Sequence, residues 1–410
     1  MADLFSPFTL KGVTLRNRIV MSPMTMYRST DGRADDFHVM HMGARAAGGF
    51  GLLFPEQIAI TPDGRTTTRC GGLYDDDQVE GWRRVCDLVS SMGGVNAIQL
   101  GHTGRKGSEV APWEGGYQLP ADHPDGWETR APSAIPFGGD HDHPVHELSV
   151  EEIHALHRSY ADAARRAVDA GFEWIEMHYA HGYLGASFFS PISNQRTDAY
   201  GGSLENRVRF HTEALDAVRA AIPERIPLTM RLGADDFNPT GATMDDAVAA
   251  IAMMKEHGLD LADISFGMNT TEMVDPVFGD EAGFVPRAMR VKEEVGIPVG
   301  VSWNLGRPQV ADQVVRAGLD LVLLGRPALA NPHWPVWAAR ELGHEAPFSL
   351  VPEDYGWWLE NFRGHAPSIG WPEVVPAASA AGGGDVDSDL ASAGVSAATD
   401  AVDVTQERAA

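Results

Sequence analysis

The sequence predicts an α/β protein folded as a single (β/α)₈, or TIM, barrel. Three observations carry that expectation. Short apolar or β-branched runs alternate eight times with longer stretches of helical period. The runs are almost continuously apolar, as parallel strands covered on both faces must be. Glycine closes several helical stretches, at Gly171, Gly258, Gly296 and Gly318, where a left-handed C′ residue belongs.

The eight candidate strands are residues 18–25, 51–58, 95–102, 172–180, 227–234, 260–267, 298–303 and 320–326. Helical stretches between them include 150–169, 205–222, 243–257 and 308–317. A doubly wound open sheet is the alternative, but no Gly-x-Gly-x-x-Gly follows the first strand, which weakens a dinucleotide-fold reading. The organisation expected is a barrel domain over residues 1–376, then an Ala/Gly/Ser-rich acidic tail over 377–410. That tail carries Asp385, Asp387, Asp389, Asp400, Asp403 and Glu407 against Arg408, with no aromatic residue. Such a composition buries too little apolar area to offset its ordering entropy, so disorder is expected there.

With 57 acidic and 32 basic residues among 410, the net charge is −25. This disfavours nucleic acid and anionic membranes as partners. The two cysteines, Cys70 and Cys86, form no Cys-x-x-Cys, so neither a disulfide framework nor a zinc or iron–sulfur site is expected. The beginning lacks a basic segment followed by an apolar one, and no run of 18 apolar residues occurs, so the expected location is the cytoplasm.

In a barrel the chemistry belongs at the C-terminal strand ends. The first strand runs into Pro23, Met24, Thr25 and Tyr27, and the second ends near Gln57. The third carries Gln99, the fourth His178, His181 and Tyr183, and the fifth Arg231. The seventh carries Gly300 and the eighth Gly325 and Arg326. Two imidazoles three residues apart at a strand end can donate two hydrogen bonds to one oxygen, bind a metal, or be structural. No carboxylate in the motif completes a ligand set, so oxygen is favoured and no metal is expected. Tyr183 has a dissociable proton and can act as a general acid, or simply pack. Gly300, Gly325 and Arg326 stand where barrels often hold a phosphate, although Arg326 can equally make a rim ion pair. Gln99 and Arg231 can face the polar edge of a flat ring such as a flavin pyrimidine, or serve the scaffold.

Several of these runs together resemble the Old Yellow Enzyme family of FMN-dependent ene-reductases. They are Leu15-Arg16-Asn17-Arg18-Ile19-Val20-Met21-Ser22-Pro23-Met24, Gln99-Leu100-Gly101-His102-Thr103-Gly104-Arg105-Lys106, and His178-Tyr179-Ala180-His181-Gly182-Tyr183-Leu184 with the following Ser190-Pro191-Ile192-Ser193-Asn194. The resemblance spans about residues 3 to 345. Residues 111–134 are similar to the bacterial thermophilic-like or xenobiotic-reductase-like subgroup.

The resemblance implies non-covalent FMN, with NAD(P)H as co-substrate. Hydride would pass through flavin N5 to the β-carbon of an α,β-unsaturated carbonyl compound. Pro23, Met24, Thr25, Gln57, Gln99 and Arg231 would surround the isoalloxazine, and Gly300, Gly325 and Arg326 the phosphate. His178 and His181 would bind the substrate's carbonyl oxygen, Tyr183 would supply the proton, and Tyr27 would border the pocket. Thr25 departs from the Cys usual in that subgroup, and Thr103 from the usual Ala. A homo-oligomer is implied, with Arg363 the candidate for a residue reaching a neighbour's site. Three alternatives remain at this stage: an FMN enzyme of the same fold acting on an amine or a CoA thioester, a metal-dependent barrel hydrolase, and a non-catalytic flavin-binding module.

Overall fold

The computed structural model describes residues 2–361 apart from residue 275. The expected tail, the boundary at 376 and Arg363 lie outside the described residues.

Eight parallel strands run β1 Ile19–Met21, β2 Leu52–Leu53, β3 Val95–Gly101, β4 Trp174–Tyr179, β5 Leu228–Gly233, β6 Leu261–Ser265, β7 Val299–Val301 and β8 Leu321–Leu324. Each pairs in parallel with the next. β8 returns to β1, with Val322 opposite Ile19 and Leu324 opposite Met21, so the sheet closes. The second predicted strand is interrupted. β2 stops at Leu53, and a further stretch, Gln57–Ala59, pairs with the upper part of β3. Pro55 between them has no N–H to donate to a ladder.

The strand–helix alternation read from the sequence is present. The main helices between and after the strands are α1 Asp36–Ala47, α2 Val79–Ser91, α3 Val150–Ala170, α4 Leu204–Ala221, α5 Met244–Glu256, α6 Val285–Val295, α7 Pro308–Arg316 and α8 Trp334–Glu341, with shorter ones at Leu184–Phe189, Arg326–Ala330 and Glu353–Asn361. Their ends follow local chemistry. Ser149 and Glu152 make a reciprocal capping box at the start of α3, and Gly171 ends that helix at φ 101°. Thr243 and Asp246 do the same at the start of α5.

Side-chain alternation divides the strands between two cores. Outward residues such as Ile98, Leu100, Ile175, Met177, Met230, Leu232, Ile264 and Val322 are buried under the helices. Inward residues Val20, Leu52, Ala97, Trp174, Leu261, Leu321 and Leu323 fill the barrel with Phe54. A hairpin absent from the sequence reading, Phe8–Leu10 against Val13–Leu15, adds Phe8, Val13 and Leu15 to this inner cluster. It acts as the barrel's floor. Above the apolar layers the inward positions turn polar: Gln99, Glu176, Arg231 and Asp263, then His178. The long connection from β3 to α3 carries a second unpredicted pair, Thr129–Ala131 with Val145–Glu147.

Candidate active site at the upper rim

A cavity of about 600 Å³ lies at the C-terminal strand ends. This is within the usual range for small-molecule sites, ~300–1,000 Å³. Ser22 and Met24 border it after β1, His181 after β4, Arg231 on β5, Ser265 and Phe266 at the end of β6, residues 302–306 after β7, and 325–327 after β8.

The floor beneath the cavity is set by register. Gln99 stands opposite Glu176, and Arg231 stands between His178 and Asp263. Gln99 Nε2 therefore donates to Glu176 Oε1 at 2.8 Å. Arg231 Nε donates to Asp263, and its Nη2 donates to Ser22 Oγ at 3.0 Å. All four side chains are buried. Burial, then the charge of Asp263, pushes the Glu176 carboxyl up to about 8, against the opposing pull of Arg231. Arg231 keeps its charge because Asp263 and Glu176 outweigh its own desolvation. Removing one partner of such a buried pair costs about 3–5 kcal/mol.

Above this layer stand the two histidines and the tyrosine. The His178 ring lies 5.1 Å from His181 and 5.0 Å from Tyr183, each edge to face. Gly101 makes room for this approach, since a Cβ there would meet Gln57 Cγ at 2.9 Å and His178 Cβ at 3.1 Å. His178 is buried and, among the described residues, its Nδ1 has no hydrogen-bond partner. His181 adopts φ 62°, and its Nε2 lies 2.9 Å from Ser265 Oγ. Lys106 Nζ donates to the His181 carbonyl at 3.1 Å, which steadies that left-handed residue. The same ammonium lies 5.9 Å from the Tyr183 ring and 4.4 Å from Phe137. Desolvation holds both imidazoles well below 6.5, reinforced for His178 by Arg231 and Lys106, and for His181 by His178 and those two cations. Both are therefore neutral at pH 7, each with one N–H to offer. Burial, then Glu109, raises the Tyr183 phenol above its ordinary value, so it stays protonated.

Of the residues singled out in the sequence, Met24, His181, Arg231, Gly325 and Arg326 line the cavity. His178 and Tyr183 stand against His181 and continue the wall. Gln99 lies one layer down on Glu176. Pro23 and Thr25 are half-buried in the loop after β1. Gln57 is buried beside Gly101, and its side-chain Nε2 has no partner. Tyr27, at φ 57°, is half-buried and packs edge to face on Trp113 at 5.3 Å. Gly300 lies inside the sheet, where a Cβ would meet Leu323 Cδ1 at 2.8 Å, and is not among the residues bordering the cavity. Sequence reasoning missed the loop after β7. Trp303 and Asn304 there have φ of 88° and 51°, and the Trp303 indole donates to Phe278 O at 2.8 Å. Asn304 and Gly306 are turn residues, and that was the available signal. It also passed over Lys106 as a site residue. Among the described residues no group of three or more His, Cys, Asp or Glu side chains is arranged to hold a metal. None of the described helices is long and apolar enough to cross a membrane.

The class of protein defined by a closed barrel with this rim agrees with three comparisons. A profile of the NADH:flavin oxidoreductase / NADH oxidase family matches residues 3–345. NADPH dehydrogenase of Geobacillus thermodenitrificans (strain NG80-2) is 42% identical over 359 residues, covering 86% of this chain and 98% of the relative. A second NADPH dehydrogenase, from Geobacillus sp. (strain WCH70), is 41% identical over 357 residues, with the same 86% and 98% coverage. Among solved structures, morphinone reductase in complex with tetrahydroNAD superposes with a TM-score of 0.68 at 28% identity, covering 84% of this chain and 91% of that one. A 2-naphthoyl-CoA reductase complex superposes with a TM-score of 0.75 at 26% identity over 85% of this chain, which spans about half (53%) of that longer protein. The chain belongs to the NADH:flavin oxidoreductase / NADH oxidase family. It is an NAD(P)H-dependent flavin oxidoreductase of the Old Yellow Enzyme type, with FMN as its cofactor.

The residues present fit that cofactor. The cavity is lined by Ser22 and Arg231, which hydrogen-bond each other, and by a second cation, Arg326. Among the described residues Arg326 has no carboxylate within ion-pair distance; its guanidinium lies 5.0 Å from the Trp303 ring. Such a free guanidinium at a cavity wall suits a phosphate. We expect Arg326→Ala to weaken FMN retention about ten- to a hundredfold, since a charged hydrogen bond contributes ~1.5–3 kcal/mol. Fluorescence titration of the apoprotein with FMN measures this, and unchanged affinity would move the phosphate elsewhere.

Proposed function

We propose that the enzyme reduces the C=C bond of α,β-unsaturated carbonyl compounds, in the cytoplasm and as a homo-oligomer. The observation that carries the substrate class is the pair of neutral imidazoles, His178 and His181, beside a protonated phenol at the cavity wall. A carbonyl oxygen needs donors where negative charge develops, and a carbon next to it needs a proton. FMN, when bound, would supply the hydride chemistry that links NAD(P)H to the substrate's β-carbon.

His178 and His181 hydrogen-bond the carbonyl oxygen and stabilise enolate charge as it forms. Being neutral, they polarise without giving their own protons away. Ser265 and Lys106 hold His181 in place by its ring and its carbonyl. Tyr183 protonates the α-carbon from the rim. Pro23, Thr25 and Gln57 would border the flavin ring with Met24, and Tyr27 and Trp113 the outer pocket. Gly325 and Arg326 would serve the phosphate end, while Gly300, inside the sheet, would act on it only through the close packing of β7 on β8. The oligomer is supported by the helix Glu353–Asn361, which leaves Tyr355, Trp357 and Trp358 exposed; Arg363, just beyond, remains the candidate to reach a neighbour.

The amine and CoA-thioester readings have relatives of the same fold, at 26–27% identity to proteins about twice as long. The NADPH dehydrogenases share 41–42% identity over 98% of their own length and 86% of this chain. Anaerobic reduction of the holoenzyme with NADPH, followed by a panel of enones, amines and aromatic CoA thioesters, tests the assignment. Reoxidation by enones alone is expected; reoxidation by a thioester without an enone response would overturn it.

A further inference from the structure

The layer beneath the cavity holds a charge imbalance. Two carboxylates, Glu176 and Asp263, share one guanidinium, Arg231, and all are enclosed by the barrel. Arg231 is committed on two sides, to Asp263 below and to Ser22 at the cavity edge. Glu176 receives only the neutral amide of Gln99 as its donor. Both carboxylates border the same void of about 10 Å³, on strands β4 and β6 that flank the strand carrying Arg231. Asp263 Oδ1 has no hydrogen-bond partner. Two ionised carboxylates in one dry layer repel, and one proton between them relieves this.

We propose that Glu176 and Asp263 hold one proton between them, chiefly on Glu176, and that at alkaline pH, where this proton is lost, the layer takes it back when the flavin gains electrons. The inference rests on the flavin cofactor and is independent of the substrate assigned above. The charges facing Glu176 are few. β5 contributes Arg231, β6 contributes Asp263, and His178 stands two residues up its own strand. β1, β2, β7 and β8 present Val20, Leu52, Gly300, Leu321 and Leu323, none of which titrates. Both histidines are neutral, and Lys106, whose ammonium burial brings down to about 8, acts on them from above, which is why its removal is the control.

Burial holds the Glu176 carboxyl up at about 8 before any change above it. Hydride delivery would add two electrons and one proton to a bound flavin, hence one new negative charge in the cavity that Arg231 borders. That charge raises the carboxyl further. Below about pH 8 Glu176 is protonated in both redox states and one proton is taken up per two electrons. Above it, Glu176 is ionised in the oxidised protein and takes a second proton from solvent on reduction. The pH dependence of the midpoint potential should therefore double in slope above about pH 8.

Potentiometric titration of the FMN-loaded protein across pH 6–10 reads this. For the wild type, one proton per two electrons is expected below the break and two above it; Glu176→Gln should show one throughout, and Lys106→Met should keep the break. A single slope in the wild type, or a break that survives Glu176→Gln and vanishes in Lys106→Met, would overturn the proposal. If Glu176→Gln fails to take up flavin, the wild type still decides. Its infrared spectrum should contain a buried carboxylic-acid carbonyl band that fades as pH rises through 8, and absence of that band is fatal to the idea. Failure to bind FMN at all would instead count against the cofactor assignment.

Discussion

Tyr183→Phe is expected to slow the enone half of the reaction by about 10²–10⁴-fold, the usual contribution of a positioned general acid. Reduction of the flavin by NADPH should stay near normal. The substitution keeps the ring that packs 5.0 Å from His178 and removes only the dissociable proton. Burial and Glu109 hold the phenol above its ordinary value, so the acid form is present at any pH up to 10 and loss of rate on raising pH from 7 to 9 would not come from Tyr183. An enolate is a much stronger base than a phenolate, so the transfer runs downhill even from a weak acid. Stopped-flow traces of the two halves separate the outcomes. Equal slowing of both would assign Tyr183 a packing role; an unaffected enone half would assign the proton to water or another group.

Replacing both His178 and His181 with Ala should lower enone turnover by at least an order of magnitude and weaken phenolate ligands comparably. Each hydrogen bond to a developing oxyanion contributes ~1.5–3 kcal/mol. FMN content should remain near one per chain, because the ring floor and the Arg326 wall are untouched. Flavin loss with an intact ligand response would place the pair on the cofactor instead. The two single variants should differ in a telling way. His178 has an unpartnered nitrogen and little to hold it but its neighbours' rings, whereas His181 is tied to Ser265 and Lys106. Loss of the His181 ring removes its contact with Ser265 but leaves Lys106 in place, because Lys106 binds the backbone carbonyl, which Ala keeps.

Much of this fold is legible in the sequence because a parallel barrel writes its strands as apolar runs and its helices as capped amphipathic periods. The runs at 95–102, 172–180 and 227–234 became β3, β4 and β5 within a residue or two. The Ser149–Glu152 and Thr243–Asp246 capping boxes fixed helix starts by purely local hydrogen bonds. Short pairs were lost: Phe8–Leu10 with Val13–Leu15 has three residues per strand, too few for a period to register. At the rim, His178, His181 and Tyr183 were found because one strand end carries them all. Trp303 was hidden because its place at the cavity depends on a left-handed turn and on the Phe278 carbonyl, 25 residues away in sequence. The pairing of Gln99 with Glu176 and of Arg231 with Asp263 is a matter of register, and register between strands is not written in either strand alone.

The alternation along each strand separates two kinds of selection. In β4, Ile175, Met177 and Tyr179 look out to the helices, while Trp174, Glu176 and His178 look in. Neighbouring letters thus answer to different demands, robustness on one side and chemistry on the other. A lineage can harden against heat by changing the outward set, repacking one oily shell, and leave the inward set untouched. It can equally redraw the inward set to suit a new acceptor while the shell keeps the barrel closed. The wall of the barrel is one residue thick, and it insulates the two histories from each other.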